Sequence, residues 1–130
     1  MNKKKIIFER ELRSRSGNII WSLISTPEGL TKWIADRVER NGDILEFTWG
    51  EPEQHHEKRT ARITEEFAMS HLRWTWEDDD NDFVEIRMKR CDITDDYVLT
   101  VTDFIEIDDE NWLNSVWESN FKRLHHATGI

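Results

Sequence analysis

Residues 4–14, KKIIFERELRS, alternate between apolar and polar positions with a period of two. Ile6, Phe8, Arg10 and Leu12 share one face, and Ile7, Glu9 and Glu11 share the other, as in a half-buried β-strand. Arg10 is the odd member, a cation among apolar neighbours. The period then changes. Ile19, Ile20, Leu23 and Ile24 are spaced for a helix that Ser16 or Asn18 can cap. Thr26-Pro27-Glu28-Gly29 stops it and starts another, with Thr26 as N-cap, Pro27 in the first turn and Glu28 placed for the helix dipole. Leu30, Trp33 and Ile34 give the second helix its apolar stripe.

From residue 37 the alternation returns. Asn41-Gly42 is a strong hairpin signal, and Leu45, Phe47 and Trp49 then alternate with Glu46 and Thr48. Gly50-Glu51-Pro52 predicts a turn. HEKRTARITEE, with only Ala61 and Ile63 apolar, reads as an exposed strand. Leu72, Trp74 and Trp76 alternate with His71, Arg73 and Thr75; DDDND, residues 78–82, reads as a loop. Val84, Ile86 and Met88 form the next inward row, and Tyr97, Leu99 and Val101 the last. Apolar residues at 112, 113, 116, 117, 121 and 124 have helical spacing. Asp108 and Asp109 stand at that helix's start and Lys122, Arg123, His125 and His126 at its end, the polarity a helix dipole favours; Gly129 suits its stop. The order is strand, two short helices, about six strands and a long helix. Polar turns between successive strands make an antiparallel sheet, and the C-terminal helix covers its apolar face. The fold class is α+β, with one domain over residues 1–130.

Apolar residues make up 37% of the 130 positions and charged residues 35%, so a core must draw on the seven Trp and six Phe. The formal net charge of −9 argues against nucleic acid, which is bound through basic patches, and against anionic membrane surfaces. No window is apolar enough for a membrane span, and Ile6–Phe8 is too short a core for a signal peptide. Cys91 is the lone cysteine, which fits a reducing compartment, and the expected location is cytoplasmic.

The layout resembles the helix-grip fold of the START-like, Bet v 1-like (SRPBCC) superfamily over nearly the whole chain. IWSLISTPEGLTKWIAD resembles the segment T-x-P-E-G-L-x-x-W in relatives of the activator of the 90-kDa heat-shock chaperone's ATPase. NGDILEFTWG resembles the hairpin that follows it, and VWESNFKRL the gripping helix. The short length, TDF at 102–104 and the acidic loop are similar to small bacterial START-like domain proteins. The resemblance implies a curved antiparallel sheet of six or seven strands, a long C-terminal helix packed on it, and a bent helix pair closing one end of the groove, with Trp33 as its plug.

The inward set admits two readings, a ligand pocket or a filled core. The candidate lining residues are Phe8, Arg10, Trp33, Phe47, Trp49, Leu72, Trp74, Ile86, Met88, Leu99, Val101, Trp117 and Phe121. Arg10 could anchor a ligand carboxylate, pair with Asp103, or snorkel to solvent. Adjacent His55 and His56 on a strand point apart, and no HExxH or Cys partner accompanies them or His125-His126, so no metal is expected. Counted from Asp78, the calcium-loop positions six and twelve hold Phe83 and Lys89 in place of Gly and Glu. There is no G-x-S-x-G, P-loop or G-x-G-x-x-G, and Cys91 has no evident histidine base. No cofactor is expected and no catalytic residue is assigned. The leading expectation is a non-enzymatic module holding a small hydrophobic or amphipathic ligand between sheet and C-terminal helix. The alternative is a protein-interaction module of co-chaperone type. A cyclase- or hydrolase-like enzyme ranks third, with Arg10, Asp103 and Tyr97 as its candidate polar groups.

Overall fold

A computed structural model describes residues 2–51, 54 and 56–130. Strand β1 (Lys3–Glu11) leads into α1 (Gly17–Ser25) and α2 (Pro27–Thr31). Six strands follow: β2 (Arg37–Asn41), β3 (Ile44–Gly50), β4 (His56–Phe67), β5 (His71–Trp76), β6 (Asp79–Arg90) and β7 (Tyr97–Glu106). A 3-10 turn (Ile107–Asp109) then enters α3 (Glu110–Thr128). The strands form one antiparallel sheet in the order β1-β7-β6-β5-β4-β3-β2. The first strand returns beside the last, so β1 and β2 are the two edges.

The helix pair is built as its sequence requires. Ser16 Oγ accepts from the amide of Ile19 at 3.3 Å, and Thr26 Oγ1 from the amide of Gly29 at 2.9 Å, each satisfying an otherwise unpaired first-turn N–H. A Cβ on Gly29 would stand 1.9 Å from the Ser22 carbonyl oxygen and 2.6 Å from Leu23 Cα. Only glycine lets α2 pack this closely on α1. Trp33 is fully buried, donates from Nε1 to the Leu23 carbonyl at 3.0 Å, and meets Trp117 and Phe121 of α3 at centroid distances of 6.0 and 5.7 Å.

At the β2–β3 hairpin the loop is Gly42-Asp43, since Asn41 already pairs with Ile44. Gly42 has φ 62°, the positive φ that a type II′ turn needs at its first central position. Arg40 makes a bidentate pair with Glu66 (2.8 and 2.9 Å) and donates to the Ser25 carbonyl, tying the hairpin to α1 and β4. At the far end of the chain α3 stops on Gly129, whose φ is 75° and whose amide donates to the His125 carbonyl.

Two departures from simple alternation matter. Residues 78–82 are expected as a loop, but β6 already begins at Asp79, and Glu77-Asp78 alone makes the turn. Lys3 on the edge strand bonds both Asp79 and Asp82. The register also slips twice. One bulge lies between Ile63 and Glu65; the other is a wider irregularity in which Trp74 pairs with Val84 but Trp76 with Asp79. The expected turn at Gly50-Glu51-Pro52 and the His55-His56 pair fall partly outside the described residues.

Candidate functional site

The inner face of the sheet is not filled evenly. Toward the α1 end it is solid: Phe47, Leu72, Ile86, Leu99 and Val101 are completely buried, and Met88 and Phe121 nearly so. Toward the opposite end, beyond the last β6–β7 pair at Glu85 and Thr102 and beneath the first half of α3, a cleft of about 700 Å³ opens. The irregularity between Trp74 and Trp76 is at its floor, because two steps on β5 there span five on β6 and the sheet surface is displaced.

Five tryptophans line this cleft: Trp49, Trp74 and Trp76 from the sheet, and Trp112 and Trp117 from α3. Phe83, Val84, Phe104, Leu113 and Val116 add apolar surface. Trp49, Trp74 and Trp76 form one packed group with Phe47, with centroids 5.2 to 6.5 Å apart. Trp49 Nε1 donates to the Ile34 carbonyl at 2.9 Å. Trp74 is 1% exposed, yet its indole N–H has no partner among the described residues. Trp112, at the mouth, is 62% exposed.

The polar groups of the cleft come from both sides of the sheet, Lys3 and Asp103 from β1 and β7, Arg59 from β4 and Arg123 from α3. Trp117 Nε1 donates to Asp103 Oδ2 at 2.9 Å, and the Phe104 amide to Asp103 Oδ1 at 2.7 Å. Burial pushes the Asp103 carboxyl up from its ordinary range, more than these two bonds pull it down. Lys3, held well above the usual lysine range by its bonds to Asp79 and Asp82, closes the mouth on one side. Arg59 stacks over Trp76 at 4.0 Å and pairs with Asp78 at 2.9 Å. Arg123 donates to the Ala35 carbonyl and to Asp36.

Of the residues expected to line a pocket, Trp49, Trp74 and Trp117 do so. Trp33, Phe47, Leu72, Ile86, Met88, Leu99, Val101 and Phe121 belong to the filled part of the core, and Phe8 packs against Trp117 at 6.1 Å from a half-buried position. Arg10 is neither buried nor paired with Asp103. It stands opposite Leu99 in the β1–β7 ladder, four residues from Ile6, which faces Asp103. Its side chain is exposed, with the guanidinium 5.0 Å from the Phe121 ring centroid. The long arginine stem reaches solvent at the sheet edge, so the charge has no need of a buried carboxylate. Tyr97 lies at the other end, beside Gly17, where its hydroxyl would meet an added Cβ at 2.8 Å. Trp76, Trp112, Phe83, Val84 and the Lys3–Asp79–Asp82 group also line the cleft and are not among the residues expected there. Trp76 shares the face of Trp74, and Trp112 lies on the α3 apolar stripe, so both carried a signal.

On the outer face the first bulge turns Glu65 to Arg73. Arg73 bridges Glu65 and Glu85 at 3.0 Å each, Arg87 adds a bond to Glu85 at 3.2 Å, and His71 is held between Ser70 Oγ (2.8 Å) and Glu65 (3.0 Å). Burial alone would raise the Glu85 carboxyl, but the two guanidinium groups outweigh it and hold it low. Ligand atoms of Glu65, His71 and Glu85 lie within 4.8 Å of one another, a spacing a metal could use. Arg73 already supplies the positive charge there, so this is a structural ion network.

A family model described as a START-like superfamily domain matches residues 1–130. The chain belongs to the START-like superfamily. The helix-grip layout is thereby shown: seven antiparallel strands, short helices after the first and a long C-terminal helix. A solution NMR structure of BfR322 from Bacteroides fragilis is 41% identical, with 97% of this chain and 91% of that chain covered and a TM-score of 0.65. The Aha1 dimer from Colwellia psychrerythraea superposes with a TM-score of 0.72 at 14% identity, covering 97% and 98%. An AHSA1-like protein from Aeromonas hydrophila gives 0.70 at 16%, covering 97% and 94%. At those identities the last two share the fold of this START-like domain. A search of curated proteins finds no match. No helix among the described residues is long and apolar enough to cross a membrane.

Proposed function

We propose that this START-like domain binds a small apolar or amphipathic molecule in the cleft between the sheet and α3, without catalysing a reaction on it, and that it works in the cytoplasm. One observation carries the reading: about 700 Å³ of space lined by five tryptophans in a chain of 130 residues. Protein interiors pack to crystal density, and a volume in the range of ligand pockets is a costly feature for so small a core. Trp112, exposed at the mouth, offers an aromatic face to whatever enters. Asp103 is the single titratable group of the enzyme reading that faces the cleft, and no nucleophile–base pair accompanies it among the described lining residues. The lone Cys91 favours a reducing compartment.

The test is native mass spectrometry of protein purified without detergent, joined to titration with 2-naphthol followed through the seven indole N–H signals. A bound species, or saturable shifts of the Trp74 and Trp117 signals, is the expected result. A bare mass together with unmoved indole signals would remove the reading.

A further inference from the structure

We infer that the cleft selects an organic ammonium ion on an aromatic or apolar body, with Asp103 as the anion that receives it. This rests on the ligand-binding reading above and names the ligand's charge.

The cleft is lined by Asp103, Glu57, Asp79, Asp82 and Glu106, against Lys3, Arg59 and Arg123. Each of the three cations is already engaged: Lys3 by Asp79 and Asp82, Arg59 by Asp78, Arg123 by Asp36 and the Ala35 carbonyl. Asp103, Glu57 and Glu106 make no ion pair among the described residues. Asp103 is the innermost of these, fixed by two neutral donors, Trp117 Nε1 and the Phe104 amide. A partly buried carboxylate in an aromatic wall, with no cation in contact and Arg59 the cation whose charge reaches it, is a poor neighbour for a fatty acid or any other anion. A ligand ammonium group would supply the missing charge, and burial of the carboxyl, which disfavours its ionised form, would then be offset. The walls act in the same direction: tryptophan faces attract cations, and Trp49, Trp76, Trp112 and Trp117 line the same cleft as the carboxylate. The protein's net charge of −9 draws cations toward it over longer distances.

The chemical class is therefore an aromatic or apolar amine.

The experiment uses three molecules that differ only in the terminal group: 2-amino-1-(naphthalen-2-yl)ethanol, the corresponding 1,2-diol, and the corresponding 2-hydroxy acid. Their dissociation constants are measured by calorimetry at pH 7 on the wild-type protein and on Asp103→Asn, with the Trp74 and Trp117 indole signals as reporters of place. The amine should bind the wild type at least about tenfold more tightly than the diol, as expected for a charge-assisted bond with cation–π support, and the acid should bind most weakly. In Asp103→Asn the amine and diol should come within about twofold of each other. Equal or tighter binding of the diol or acid by the wild type would overturn the charge selection while leaving the cleft a ligand site. An amine preference that survives in Asp103→Asn would overturn the role of Asp103. Failure of all three molecules to bind would remove both this inference and the reading beneath it. The wild-type series decides the charge question even if the variant does not fold.

Discussion

Trp117→Phe is the substitution that probes the join between core and cleft. The side chain is 4% exposed and touches Phe8, Trp33 and Phe121. Phenylalanine keeps most of that packing but removes the N–H that donates to Asp103 at 2.9 Å. A hydrogen bond to a charged acceptor contributes about 1.5–3 kcal/mol, so the substitution should cost about 2–3 kcal/mol at neutral pH, with part of this from the smaller ring. The pH dependence separates the two parts. Burial already raises the folded-state Asp103 carboxyl above its unfolded value. A raised acid contributes stability that is fully present below the unfolded value, about 3.9, and lost as pH rises through the folded value. Removing the indole donor raises the folded value further, so Trp117→Phe should be most damaging at pH 7–8 and lose part of its penalty near pH 4. Urea unfolding followed by far-UV circular dichroism at both pH values gives the two differences directly. A penalty that is independent of pH, or greater in acid, would show that the Trp117–Asp103 bond does not couple to the charge on Asp103.

Other perturbations follow from the same structure. Gly29→Ala forces a Cβ into the Ser22 backbone and should cost about 3 kcal/mol or more by strain, whereas Gly42→Ala meets no atom and should cost only about 1 kcal/mol through its positive φ; urea midpoints compare them. Trp112→Ala should change stability by less than about 1 kcal/mol, since the side chain is 62% exposed, yet weaken 2-naphthol binding several-fold. Glu85→Gln should cost about 2 kcal/mol at pH 7 by weakening its bonds to Arg73 and Arg87. The folded Glu85 carboxyl is depressed, so that difference should persist above about pH 4.3 and fade as acid is added, opposite in sign to the Asp103 case. Denaturation curves of the Glu85 pair at pH 7 and pH 3.5 check it.

The fold was legible because its signals are local. The alternation of Leu72, Trp74 and Trp76, the Thr26-Pro27-Glu28-Gly29 break and the α3 stripe each declare an element and its inward face. What alternation cannot give is depth along a strand. Phe47 and Trp49 point the same way, but Phe47 meets the packed core while Trp49 faces the cleft. That difference depends on where α3 crosses and where the β5–β6 register slips. Bulges are equally hidden: strict alternation would put Glu65 on the inner face with Ile63, and the extra residue turns it to Arg73 instead. Arg10 stood out in the sequence for the right reason, its place on an apolar face. A strand at the sheet edge lets a long side chain leave that face, and edge position depends on pairing β1 with β7, which puts Arg10 opposite Leu99 from the far end of the chain.

The central claim is that the cleft beneath the first half of α3 is a binding site. A crystal structure of protein purified without detergent and crystallised with 2-naphthol tests it most directly. Electron density for the ring is expected among Trp49, Trp74, Trp76 and Trp112, in the cleft that Asp103 also lines. A first half of α3 settled onto Val84 and Trp74, with Trp112 turned inward and the 2-naphthol absent, would contradict it.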